Sequence, residues 1–170
     1  TMTAAANKVA GKTINKVGGG DGALAVKLVS TADDGGVNLT TVGGTATQTF
    51  EVTGNVTFSG TLHGSIKTSV ASSQTLTTTA AIANGKTIDG SGSVAITALH
   101  STLAADLSGI TASGGRTAAF DDDGTFTGDL GTFTVTVASS KTLTTTAAIA
   151  NGKRIGGSGS VAITALHSTL

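Results

Sequence analysis

Apolar and polar positions alternate over short stretches of this chain and nowhere keep a helical period. Residues 132–137, TFTVTV, put Thr on one side and Phe or Val on the other, the pattern of a half-buried strand. SVAITAL at 93–99 and 160–166, and KTSV at 67–70, carry similar β-branched content and read as further strands. Clusters of Gly, Ser, Asn and Asp interrupt at 18–22, 33–36, 89–92, 112–115, 121–124 and 156–159, marking turns. Leu76, Ile82, Ile88, Val94 and Leu99 recur every five or six residues, a spacing that suits short faces separated by corners. TAAIAN at 79–84 is too short and uncapped for a helix, and is read as a strand or a corner.

Self-similarity organises the whole sequence. Residues 71–103 and 138–170 differ at three of 33 positions: Gln74 against Lys141, Thr87 against Arg154, and Asp89 against Gly156. The likeness extends upstream, where TFSG at 57–60 matches TFTG at 125–128 with one residue dropped before the next strand. A worn copy opens the chain: TMTAAANKVAGKTI at 1–14 lies on TLTTTAAIANGKTI at 75–88. The units are therefore 1–74, 75–141 and a partial third copy at 142–170. No linker separates them.

Such a sequence predicts an all-β chain, a parallel β-solenoid of stacked short coils. Small side chains cannot fill the wide interior of an ordinary domain, but they fill the thin core of a solenoid. Thr facing outward can form ladders between coils, and glycines suit the corners. Coils of about 18–22 residues are expected, roughly three per copy, at about 4.8 Å each. The competing fold is a string of small antiparallel β-sandwich repeats, for which Asn84-Gly85 and Asn151-Gly152 would supply hairpin turns. A 67-residue copy without linkers is short for a sandwich of about 100 residues.

Composition narrows the function. The chain of 170 residues has no Cys, Pro, Trp or Tyr, five Phe, and ten basic residues against ten acidic ones. There is no disulfide frame or thiolate metal site, and the charge balance argues against a nucleic-acid surface. No apolar run is long enough for a transmembrane segment.

Candidate chemistry is sparse. GKT at 11–13 and 85–87 resembles the tail of a phosphate-binding loop, but Ala6 and Ala80 stand where its first Gly is needed. Gly18-x-Gly20-x-x-Ala23 lacks the strand–turn–helix context of a dinucleotide site. His100 and His167 each sit in ALHSTL, where a neighbouring Ser would point to the opposite face of a strand. Asp121, Asp122 and Asp123, with Asp129 nearby, are the candidate calcium ligands. The plainer reading of that cluster is a solvated turn, and no other cofactor is expected. Asp33 and Asp34 with the 121–123 cluster could pair carboxylates for glycoside cleavage, yet no aromatic sugar platform accompanies them. Asn38 and Asn55 open glycosylation sequons.

Copies such as TLTTTAAIANGKTIDGSGSVAIT resemble the tandem-repeat regions of giant bacterial surface adhesins, including filamentous-haemagglutinin-like proteins and autotransporter passengers. The resemblance implies a secreted, β-helical stalk or fibre at the cell surface, with no catalytic residues to carry over. The expected role is a structural repeat segment, not an enzyme, with a host or cell-surface receptor as one partner. The alternative is a ligand-binding solenoid with a Thr face, of which ice-binding proteins are the sharpest case, although SVAIT and LAADLSGI offer no obvious matching row. Because the third copy stops within its unit and the first opens without a cap, head-to-tail self-association into filaments is also expected.

Overall fold

The computed structural model describes residues 2–9, 24–28, 37–38, 48–62 and 66–165. The chain winds as a parallel β-solenoid. The first strands are β1 (Met2–Ala5), β2 (Leu24–Leu28), β3 (Gln48–Val52), β4 (Val56–Phe58) and β5 (Lys67–Val70). They are followed by β6 (Thr75–Thr79), β7 (Ile88–Gly90), β8 (Ser93–Thr97), β9 (Gly115–Phe120) and β10 (Gly124–Thr125). The last are β11 (Thr134–Val137), β12 (Thr142–Thr146), β13 (Arg154–Gly157) and β14 (Ser160–Thr164). Single helical turns α1 (Ala6–Val9), α2 (Ala80–Ala83) and α3 (Ala147–Ala150) follow β1, β6 and β12.

Three sheets run along the solenoid. The first is ordered β1-β2-β3-β5-β7, the second β4-β6-β8-β9-β11-β13 and the third β10-β12-β14. Every strand pair among the described residues is parallel, which excludes the antiparallel sandwich. Asn84-Gly85 makes no hairpin: Asn84 at φ −53°, ψ 121° and Gly85 at φ +65° form a tight turn that closes from Lys86 N to Ala83 O at 3.0 Å. Register partners range from Thr117 on Thr134, a coil of 17 residues, to Leu24 on Gln48, a coil of 24. Coils are thus more unequal than the sequence suggests.

The core is thin, as expected, but it is built around phenylalanine. All five Phe (50, 58, 120, 126 and 133) are fully buried, and Phe50 meets Phe58 edge-on with ring centroids 5.4 Å apart. Leu76, Ile88, Val94 and Leu99 are buried, while Ile82 is half-buried against the core. Strand alternation accounts for this: β6 buries Leu76 and Thr78 and turns Thr75, Thr77 and Thr79 outward. Not all Thr lies outside. Thr78 and Thr145 are buried, and each hydroxyl donates to a carbonyl of the coil below, Phe58 O at 3.0 Å and Phe126 O at 3.1 Å.

The stretch 79–84 is a helical turn at a corner. Its cap is Thr79, whose Oγ1 accepts from Ile82 N at 3.4 Å, and Thr146 does the same for Ile149 N. Capping by Thr satisfies amides at a helix start that would otherwise lack a partner, so even one turn is tolerated. At the next corner Gly90 and its equivalent Gly157 hold φ of +101° and +113°, and a Cβ at either would lie 2.2 Å from the Val70 or Val137 carbonyl oxygen. Only glycine fits there.

Equivalent strands of the two near-identical copies do not stack on the same sheet. β5 and β7 belong to the first sheet, yet their counterparts β11 and β13 belong to the second. Likewise β6 and β8 lie in the second sheet, and β12 and β14 in the third. From Thr68 the stack climbs to Ile88 and then to Ile110, and from that coil β9 carries β11. One 67-residue unit therefore advances three coils and one face.

Candidate functional site

The acidic cluster lies at the exposed corner between β9 and β10. Each carboxylate is engaged by an adjoining coil. Asp121 Oδ1 meets His100 Nδ1 from the coil below. Asp122 Oδ1 accepts from Lys141 Nζ of the coil above at 2.7 Å and from Asp123 N at 2.9 Å. Asp123 Oδ1 accepts from Thr142 N at 2.6 Å. The Lys141 hydrogen bond, with its charge, holds the Asp122 carboxyl below its ordinary range, and Asp122 in turn raises Lys141.

Asp129 belongs to a different corner. Its Oδ1 accepts from Gly131 N at 2.7 Å, just as Asp106 Oδ1 accepts from Ser108 N at 2.9 Å and Ser108 Oγ at 2.6 Å. Those Ser108 bonds lower the Asp106 carboxyl. Asp106 and Asp129 form a parallel bridge, and Asn84 Oδ1 receives Asp106 N at 2.9 Å. Asn84, Asp106 and Asp129 thus form a column that shapes successive turns. Among the described residues no three His, Cys, Asp or Glu side chains assemble into a set able to hold a metal ion.

The other candidates are also tied into the scaffold. Ser101 Oγ donates to Ala98 O at 2.7 Å, while His100 turns to Asp121, so the ALHSTL pair makes no nucleophile and base. In the GKT stretch at 85–87, Gly85 N donates to Asp106 O at 2.9 Å and offers no amide cradle. Asn55 is exposed, but its Oδ1 accepts from Thr75 N at 2.9 Å. Residues 11–13, 18–23, Asp33, Asp34 and His167 lie outside the described residues, as does the rest of the Asn38 sequon. An open depression of about 600 Å³ beside α3 is lined largely by Ala, and one of about 430 Å³ between β11 and β13 by Thr, Gly, Val135 and Ile155 with Lys153 and Arg154.

Contacts between coils explain all three differences within the duplicated stretch. Aligned on Thr57-Phe58 and Thr125-Phe126, Asp122 corresponds to Gly54. Where Asp122 meets Lys141 in the later copy, Gly54 faces a coil bearing Gln74, so both charges are absent together. Conversely Lys67 Nζ binds Asp89 Oδ2 at 2.7 Å, and both become neutral in the later copy, as Thr134 and Gly156. Arg154 is the register partner of Thr134, whereas its counterpart Thr87 lies beside Lys67. An Arg at 87 would set like charges side by side. Alignment of the copies displays these substitutions, but not that their partners lie one coil away.

An uncharged stretch runs along the outer side of the second sheet: Thr57, Thr77, Ala95, Thr117 and Thr134 stack in register, and the row ends on Arg154. The coil after SVAIT contributes Thr117 from β9, a strand the sequence analysis did not identify, so the row is more regular than the sequence suggests. The chain matches no protein-family model, and comparison with curated proteins and with solved structures finds none similar to it.

Proposed function

We propose that this chain is a structural repeat segment of a secreted or cell-surface fibre or adhesin, serving as stalk, filament or surface coat. The observation that carries the reading is the continuity of the second sheet from β4 to β13, through parts of all three copies, with charges at the coil contacts exchanged in pairs. Such a body gains length with each added unit and needs no catalytic centre. A bacterial cell surface is the proposed location, with a surface receptor as an outside partner and further copies of the chain as inside ones. The test is a series of chains with one, two and three extra 67-residue units. Each unit should lengthen the particle by about 16 Å, at about 4.8 Å per coil, in negative-stain images or small-angle scattering. A particle that grows equally in all directions overturns the proposal.

The in-register Thr row favours a second reading, a solenoid that binds through its Thr face. Thermal hysteresis in freezing solutions of the chain, abolished by Thr77→Lys and Thr117→Lys, would support the ice-binding form of it. No hysteresis in the unaltered chain removes that form.

A further inference from the structure

The two near-identical copies meet the coils beneath them through the same inward side chains. Leu76, Thr78 and Ile88 of the earlier copy recur as Leu143, Thr145 and Ile155 in the later one. The three differences, Gln74 against Lys141, Thr87 against Arg154 and Asp89 against Gly156, lie outside the core, and none of the six residues is buried. Core packing responds to shape and volume, so it does not distinguish one copy from the other. Yet each rests on its own coil. The earlier copy stacks on the coil bearing Gly54 and Lys67, and the later one on the coil bearing Asp122 and Thr134.

Exchanging the copies would undo the charged contacts. On the coil of Gly54 and Lys67, the later copy would leave Lys141 without Asp122 and set Arg154 opposite Lys67. It would also put Gly156 where Asp89 meets the Lys67 ammonium. On the coil of Asp122 and Thr134, the earlier copy would bring Gln74 to Asp122 and leave Asp89 above Thr136, with no lysine beside it. Exposed ion pairs are individually weak, and like charges directly opposite are unfavourable by a similar amount. At about two- to threefold for each contact, three together favour the correct coil roughly tenfold.

We propose that these three exposed differences are a recognition code between units. They direct each copy to its own coil and keep the other copy, from the same chain or from a second molecule, off that coil during folding. The code goes beyond the fibre reading and stands without it. Locality assists the same choice, since the correct copy follows its coil directly. Loop-closure entropy grows only slowly with length, however, so a copy 67 residues farther on remains a competitor.

Because the chain has no cysteine, engineered pairs report the seating without background. Thr57 and Thr77 are register partners, so Thr57→Cys with Thr77→Cys marks the correct arrangement at a spacing a disulfide spans. Thr144 is the counterpart of Thr77, and in the folded chain it lies on the third sheet beside Thr125. Thr57→Cys with Thr144→Cys therefore closes when the later copy takes the earlier one's place. The full chain is refolded from urea under mild oxidation, both as the parent and with Lys141→Gln, Arg154→Thr and Gly156→Asp, which make the two stretches identical. The chain with identical copies should give about tenfold more of the 57–144 disulfide, within monomers or between two molecules. Sodium chloride at about 1 M, which screens exposed charges, should raise that product in the parent toward the same level. The salt comparison uses the parent sequence alone, so it decides even where the triple substitution impairs folding. Equal 57–144 closure in the two chains at low salt, or closure in the parent that salt leaves unchanged, overturns the proposal. Either result leaves the fibre reading to the length series.

Discussion

Thr68 offers the sharpest test of the packing. It sits on β5 between its register partners Phe50 and Ile88, fully buried, and its Oγ1 has no hydrogen-bond partner. A buried hydroxyl left unpaired costs about 1–3 kcal/mol. The later copy holds the alternative: the equivalent residue is Val135, equally buried. Thr68→Val keeps the shape, removes the unpaired hydroxyl and adds apolar contact worth up to about 0.8 kcal/mol. We expect a gain of about 1–3 kcal/mol, which at roughly 2–4 °C per kcal/mol for a chain of this size raises the melting midpoint by several degrees. The reciprocal Val135→Thr should lose a similar amount. Thr78→Val serves as the control, because its hydroxyl is bonded to Phe58 O and losing a typical hydrogen bond costs about 0.5–1.5 kcal/mol. Thermal and urea melts followed by far-ultraviolet circular dichroism measure all three. A Thr68→Val chain no more stable than the parent would refute the reasoning, whatever the other two do.

Three further outcomes follow from the same structure. Gly90→Ala should destabilise by at least about 2 kcal/mol in chemical denaturation, since a side chain there meets both a positive φ and the Val70 carbonyl; Gly85→Ala, with open space around its Cβ, should cost less. Asp122, depressed chiefly by the Lys141 hydrogen bond, should titrate by NMR below the ordinary 3.8, and Lys141→Gln should move it back up. Because a lowered carboxyl favours the folded state above its unfolded value, whatever small stability the pair supplies is present at neutral pH and lost as pH falls through the folded value. Ile96→Asp, burying an unpaired charge, should cost more than about 2 kcal/mol, and Asp at outward Thr77 under about 1 kcal/mol; equal losses in urea titrations would show the inward and outward assignments to be wrong.

Much of the fold is legible in the residues themselves. Alternation in TFTVTV and SVAIT identifies strands because a strand exposes every second side chain, and β11, β8 and β14 lie there. β9, with its run Ala118-Ala119, gives no such alternation and is missed. The cap on α2 is readable in principle, since Thr79 precedes an Ala-rich stretch, but three preceding Thr disguise it as strand. The advance by one face is hidden for another reason. Copies that are nearly identical carry no label of the face they occupy, and only the summed coil lengths, 67 residues against coils of about 20, set the rotation. At the acidic corner, residue type suggests a cation, whereas the partners of Asp121, Asp122 and Asp123 come from residues 19 to 21 positions away. That distance in sequence is one coil, so the role of each carboxylate emerges only with the winding.

The claim that a 67-residue unit climbs three coils and turns one face is tested most directly by where β11 rests. Thr117 and Thr134 are register partners on the outside of the second sheet, about one strand spacing of 4.8 Å apart. A Thr117→Cys, Thr134→Cys chain should therefore close an intramolecular disulfide rapidly under mild oxidation, without loss of its circular dichroism. Had the later copy stacked as the earlier one does, on the first sheet, Thr136, the counterpart of Ser69, would instead lie above Thr111. Rapid closure of Thr111→Cys with Thr136→Cys, and none between positions 117 and 134, would contradict the winding described above.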